Sequence, residues 1–323
     1  MTDYRVLITE PIADPGPELL ATFATITCGS DYQDREALLA DVATVDAVIV
    51  RTFPVDETFL GRAQNLDVVV KHGVGFDNID VATATAHEVP VCRVTDVNSR
   101  AVAEHALALL LAIRKRLLFL DRSVRSGSWN RQAAETRTLA GDVVGLFGCG
   151  SIGTDLAARL AGLDVSCLAY DPYLDAEDAP ANVTLVTDKI ALFDRADAVS
   201  VHTPLTPETA GAIGTSELRA LGDTGIVVNT ARGGIIEEAA LVDALERGDI
   251  DGAGLDVFAD EPPPVDHPLF DHDRVVLTPH VAGNTNESLA ALSRGAAEHV
   301  RTVYEGDLPD ATVNASALDN YQL

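Results

Sequence analysis

The stretch Val143-Val144-Gly145-Leu146-Phe147-Gly148-Cys149-Gly150-Ser151-Ile152-Gly153 decides how this chain is read. A short apolar run enters a G-x-G-x-x-G turn, and residues 154–160 continue with helical apolar spacing. A second apolar run, 165–170, ends at Asp171, 18 residues beyond Gly153. Strand, glycine turn, helix, strand and acid in that order form the pattern of a dinucleotide-binding unit. Gly148 permits the tight turn, Gly150 lets a pyrophosphate approach the backbone, and Gly153 lets helix and strand pack. Ser151 and Ile152 open the helix, whose first N–H groups are offered to phosphates. Asp171 is spaced to accept hydrogen bonds from both ribose hydroxyls, which predicts NAD rather than NADP.

Outside this stretch, 323 residues predict about two domains, and a 47% hydrophobic fraction supports sizeable cores. The N-terminus runs directly into strand-like Val6-Leu7-Ile8, so no signal peptide is expected. The apolar stretch 105–113 is too short to span a membrane. Cys28, Cys92, Cys149 and Cys167 form no C-x-x-C pair and read as buried thiols of a reducing cytoplasm; no metal site is expected. The net charge of −27 comes from 23 bases against 50 acids, with lysine only at 71, 115 and 189. Self-repulsion of that size opposes compaction unless salt screens it, so adaptation to a salt-rich cytosol, as in halophilic archaea, is expected. The same charge excludes a nucleic-acid partner, which needs a basic footprint.

Short β-branched runs alternate with amphipathic segments, which predicts an α/β chain with parallel sheets. Strands are expected over 5–9, 46–51, 67–71, 89–94, 143–147, 165–170, 198–202, 225–230, 252–257 and 274–278. Helical patterns between them include 34–43, 151–161, 217–221 and 237–247, with two longer helices expected over 99 to about 120 and about 286–305. Long helices flanking the second strand set suit a chain that crosses into another domain and returns. The expected division is therefore a discontinuous domain, 1–98 plus 284–323, around a continuous dinucleotide-binding one, 99–283.

Three segments carry candidate chemistry at strand ends of the second domain. In Asn229-Thr230-Ala231-Arg232-Gly233-Gly234 a buried strand delivers one arginine, whose planar fork suits a carboxylate. Asp256 lies in an apolar run and needs a partner, for which a nicotinamide amide is suited, and Glu261 precedes Pro262-Pro263-Pro264 in a stiff loop. His280 closes an apolar strand at Thr278-Pro279-His280-Val281-Ala282-Gly283, where an imidazole can exchange a proton with a carbonyl oxygen near neutrality. Spacing alone reads them equally well as a surface arginine, capping or solvated acids and an ordinary histidine.

Taken in order, these motifs resemble the D-2-hydroxyacid dehydrogenase family, which includes phosphoglycerate dehydrogenases and hydroxypyruvate/glyoxylate reductases. The likeness spans roughly residues 45–305 and includes Lys71-His72-Gly73-Val74-Gly75-Phe76-Asp77-Asn78-Ile79-Asp80, Asn98-Ser99-Arg100-Ala101-Val102-Ala103-Glu104-His105 and His202-Thr203-Pro204-Leu205-Thr206. It implies two doubly wound parallel-sheet domains, a Rossmann NAD-binding domain inserted in a discontinuous flavodoxin-like substrate domain. It also implies an NAD-dependent oxidoreductase of 2-oxo and D-2-hydroxy acids with Arg232, Glu261 and His280 as catalytic residues. The amides of Val74 and Gly75 would hold the substrate carboxylate, with Lys71 or His72 nearby. Gly148, Gly150, Ser151, Ile152, Gly153, Asp171, Thr203, Pro204, Thr230, Ala231, Asp256 and Gly283 would serve the cofactor, Asp256 through the nicotinamide carboxamide. A homodimer through the cofactor domain is implied as well. His72 departs from the small residue usual in phosphoglycerate dehydrogenases, and Glu261 speaks against formate as substrate. The short stretch after the return helix leads to the expectation that a C-terminal regulatory domain is absent. Arg93 and Arg100 are open between binding an anionic substrate tail and ordinary surface charge. The competing expectation is a non-enzymatic NAD(H)-sensing binding protein, corepressor-like, which would not require the complete Arg232, Glu261 and His280 set.

Overall fold

The computed structural model describes residues 4–132 and 135–318. They divide into two compact units, split after residue 98 and after residue 283, with the first unit made of the segments on either side of the second. The first unit runs β1 (Arg5–Ile8), α1 (Pro15–Leu20), β2 (Thr25–Cys28), α2 (Arg35–Asp41), β3 (Ala47–Val50), α3 (Glu57–Arg62), β4 (Val68–Lys71), α4 (Val81–Ala86) and β5 (Val91–Arg93). Its strands pair in parallel in the order β2-β1-β3-β4-β5. All four residues of β3 are buried, as a parallel strand covered on both faces requires. The strand order reverses between β1 and β3, and there Glu10 lies just past the carboxyl end of β1. Its carboxylate accepts from the amides of Arg51 (2.9 Å), Thr52 (2.6 Å) and Phe53 (2.8 Å) and from the Thr52 hydroxyl (2.6 Å). Burial alone would raise the Glu10 pKa, but these donors and Thr9 hold it below the usual carboxylate range.

The second unit runs α5 (Ser99–Arg114), α6 (Leu117–Arg125), β6 (Val143–Phe147), α7 (Ser151–Ala161), β7 (Ser166–Tyr170), β8 (Val183–Leu185), α8 (Lys189–Arg195), β9 (Ala198–Val201), α9 (Thr215–Leu221), β10 (Ile226–Asn229), α10 (Glu238–Arg247), β11 (Gly252–Leu255) and β12 (Val275–Leu277). Its seven parallel strands are ordered β12-β11-β10-β9-β6-β7-β8, with the reversal between β6 and β9. In doubly wound sheets ligands bind at such a reversal, outside the carboxyl ends of the strands. α11 (Asn286–Tyr304) returns to the first unit and packs on α1, where the Gly16 amide donates to Ser293 Oγ at 3.1 Å.

The structure departs from the sequence expectation at one named helix and at two sheet edges. The single helix expected over 99 to about 120 breaks at Arg116, whose φ of 48° is left-handed, and α6 starts afresh. The break follows Arg114, whose buried guanidinium donates to Asp142 Oδ2 (2.9 Å), Thr224 O (2.8 Å) and Asp197 O (2.7 Å) and so pins the end of α5. Strands β2 and β8 were not expected. Both are sheet edges with no buried residue, so they lack the apolar run that announces an interior strand.

One ion pair predicts acid sensitivity. Glu217 on α9 is 5% exposed and lies 2.8 Å from Lys189 Nζ, at the start of α8. Burial pushes its pKa up, but Lys189, the Gly214 amide and the Ser216 hydroxyl together pull it down to about 2. A depressed carboxylate stabilises the fold above its unfolded pKa, near 4.5, and loses that contribution as pH falls toward 2. Glu217→Gln should therefore cost about 2 kcal/mol in urea unfolding at pH 7 and much less at pH 2. Equal losses at both pH values would contradict the assignment.

Candidate active site

The glycine turn builds a cradle at the strand-order reversal. Gly148 has φ 95°, and a Cβ there would lie 2.9 Å from the amide nitrogen of Thr203, so only glycine lets the ends of β6 and β9 touch. A Cβ at Gly150 would meet nothing within 4 Å, which leaves open the side from which a phosphate would come. No side chain caps the start of α7 at Gly150, and Ser151 is exposed at its first turn while Ile152 packs inward. Gly153 lies under the turn, where a Cβ would come within 2.7 Å of Gly148 O. Asp171 spends one bond per oxygen on its own fold, accepting from the Cys149 amide (2.9 Å) and the Tyr173 amide (3.0 Å). A carboxylate has about four acceptor sites, so capacity for ribose hydroxyls remains. Thr203 and Pro204 begin the loop after β9, and Ala231 is half-buried after β10. These features fit a bound dinucleotide.

At the ends of β10, β11 and β12 the three catalytic candidates converge on one side of the same sheet. Asn229, 1% exposed, shapes the first loop: its side chain accepts from the Ala231 amide (3.0 Å) and donates to Arg232 O (2.8 Å). The next residue, Gly233, lies against the loop that follows β11. A Cβ on it would fall 1.9 Å from the carbonyl carbon and oxygen of Phe258, so glycine is the condition for the two loops to cross. Glu261 Oε1 accepts from the Phe258 amide (3.1 Å), and Oε2 lies 2.7 Å from His280 Nδ1. Burial raises the Glu261 pKa, but His280, the Phe258 amide and the charge of Arg232 outweigh it and hold the carboxyl below its ordinary value. An ionised carboxylate only accepts, so Nδ1 carries the proton and Nε2 is the free edge of the ring.

His280 adopts a left-handed backbone with φ 53°, rare for a side-chain-bearing residue and frequent at functional sites. Asp256 holds it there. The His280 amide donates to Asp256 O (2.7 Å), while the Asp256 carboxylate accepts from the Thr278 hydroxyl (2.6 Å) and the amides of Val281 (2.9 Å) and Ala282 (2.8 Å). The Thr278 hydroxyl in turn accepts from His105 Nε2 of α5 at 2.9 Å. Asp256 is fully buried. The Asp256 carboxylate thus fixes the loop that presents His280.

His72 is 5% exposed, and burial, with Arg51 and Lys71 nearby, pushes its pKa down to about 4, which keeps the ring neutral at pH 7. The Thr230 hydroxyl is buried without a partner among the described residues. Lys71 is engaged with Asn78 Oδ1 (2.6 Å) and Arg51 O. The Val74 and Gly75 amides donate to nothing among the described residues. Arg93 stacks over the Phe76 ring at 5.5 Å. Gly283 closes the second unit. Sequence reading missed the anchoring parts of Asn229, Thr278 and His105, and no local signal marks them apart from burial of polar types in apolar runs.

The fold and this cluster define a dinucleotide-binding α/β protein with an acid–histidine pair beside an arginine. Comparison with known proteins narrows the class. Residues 107–282 match the family model for the NAD-binding domain of D-isomer specific 2-hydroxyacid dehydrogenases, and the chain belongs to that family. It is 36% identical over 303 residues to D-3-phosphoglycerate dehydrogenase of Archaeoglobus fulgidus, covering 94% of this chain and 58% of that protein. The chain spans little more than half the length of the phosphoglycerate dehydrogenases it matches. It is 37% identical over 328 residues to glyoxylate reductase of Thermofilum pendens, covering 98% and 96% of the two chains. The solved NADPH-dependent glyoxylate/hydroxypyruvate reductase of Sinorhizobium meliloti, in complex with NADP and malonate, superposes with a TM-score of 0.88 at 29% identity, covering both chains in full. None of these names supports a non-enzymatic sensor. No helix among the described residues is long and apolar enough to cross a membrane.

Proposed function

We propose that the protein is an NAD(H)-dependent oxidoreductase that interconverts small 2-oxo acids and D-2-hydroxy acids. The observation that carries this reading is the 2.7 Å Glu261–His280 pair within the field of Arg232. When bound, the nicotinamide supplies or removes a hydride at the substrate carbon. Arg232 binds the substrate carboxylate and polarises the adjacent carbonyl oxygen. His280 delivers a proton from Nε2 to that oxygen on reduction and takes it back on oxidation. Glu261 fixes the ring through Nδ1. On the family resemblance, the Val74 and Gly75 amides are assigned a part in substrate binding.

NAD is preferred over NADP in this reading because Asp171 would face a 2′-phosphate with like charge. Screening weakens such repulsion, so the test belongs in molar salt, the medium to which the net charge of −27 points. A panel of 2-oxo acids assayed there with NADH and NADPH should give turnover favouring NADH at least tenfold. No turnover with any acid removes the activity, and a preference for NADPH removes the cofactor assignment. Four unpaired cysteines suit a cytoplasmic enzyme. A homodimer through the second unit is supported by α6, which buries no residue and exposes Leu117, Leu118 and Val124 by 44–52%. Sedimentation at the mass of one 34.1 kDa chain would exclude it.

A further inference from the structure

Glu238 and His267 lie outside the catalytic cluster, yet both grip the loop that carries Glu261. Glu238 is the first residue of α10, where a carboxylate suits the helix dipole. Its Oε2 accepts from the Ala259 amide (3.3 Å), and its Oε1 accepts from His267 Nε2 (2.8 Å). One carboxylate therefore ties together two points of the loop, eight residues apart, with Glu261 between them. His267 is 7% exposed and its tautomer is fixed: Nδ1 accepts from the Leu269 amide (3.3 Å), so Nε2 bears the proton donated to Glu238. Its ring stands edge-on to Phe258 at 5.5 Å, and the Phe258 amide is the donor that holds Glu261 Oε1. The contacts thus run from α10 through His267 and Phe258 to the carboxylate that fixes His280.

We propose that Glu238 and His267 form a positioning clamp that sets the reach of Glu261 to His280, and so the rate of proton exchange rather than cofactor binding. This rests on the acid–base assignment of His280 made above. A displacement near 1 Å in such a site costs on the order of 100-fold in rate, so the clamp should show as an effect on kcat.

The test uses full-length Glu238→Gln and His267→Phe. The glutamine keeps the volume but cannot accept at both oxygens. The phenyl ring keeps the packing on Phe258 and loses both ring hydrogen bonds. Expected in each are kcat lowered at least tenfold, NADH Kd within twofold of wild type, and a displaced pH profile of kcat. The low-field proton resonance of His280 Nδ1 should shift or vanish in both. Because that resonance is read without turnover, a wild type inactive on every 2-oxo acid would defeat the function proposed above and leave the clamp still measurable. An unchanged resonance with kcat within twofold of wild type overturns the clamp. A fall in thermal midpoint of more than 10 °C, with the resonance unchanged in the folded variant, also overturns it and marks a fold-stabilising pair only.

Discussion

Replacing His280 by asparagine should lower kcat by a factor of about 100 to 10,000, the range expected when a positioned acid–base is removed. Cofactor affinity should hold, since the imidazole belongs to the loop after β12 and not to the glycine turn. Asparagine is the informative substitute because it tolerates the left-handed backbone that His280 adopts at φ 53°. The bonds from Asp256 to the Val281 and Ala282 amides would then persist, and the loss would report the ring alone. Stopped-flow reduction of the best 2-oxo acid, with NADH binding followed by fluorescence, separates the two. A variant within tenfold of wild-type kcat would take His280 out of the reaction.

The second large effect is expected from Gly233→Ala. A methyl at 233 would stand 1.9 Å from the Phe258 carbonyl and 2.4 Å from the Ala259 amide nitrogen. Both obstacles are backbone, so no rotamer change relieves them and the loops after β10 and β11 must separate. Arg232 and Glu261 lie on those two loops. We expect at least a 100-fold fall in kcat/KM together with about 2–4 kcal/mol of lost stability in urea unfolding. Gly150→Ala is the counterpart: a Cβ there meets no protein atom within 4 Å, so the fold should keep its stability while NADH affinity falls. If Gly233→Ala unfolds at the wild-type urea midpoint, the loops do not cross as described.

What was legible in the sequence follows from locality. The buried strands announce themselves because parallel strands covered on both faces become continuous apolar runs, as in β3, β9 and β10. Edge strands β2 and β8 carry no such run. The glycine turn, Asp171, Arg232 and His280 could be picked out because each stands at or just past the end of an apolar run, and Glu261 because it precedes three prolines. Their surroundings could not. That Gly233 is required by Phe258, 25 residues downstream, is a fact of tertiary contact. So are the binding of Asp256 to its own loop and the burial of His72. Arg116 gives no local warning of its left-handed turn, because lysine and arginine around it are good helix formers.

Both sheets reverse strand order, and both reversals gather backbone N–H groups, yet the two are finished differently. In the first unit the chain brings its own anion: Glu10 saturates the amides of Arg51, Thr52 and Phe53. In the second, α7 starts at Gly150, which has no side-chain cap. The same electrostatic demand is thus met once by a tethered, permanent guest and once left to a visitor. The first unit closes its reversal with its own charge, whereas the second leaves the Gly150 start of α7 without a cap.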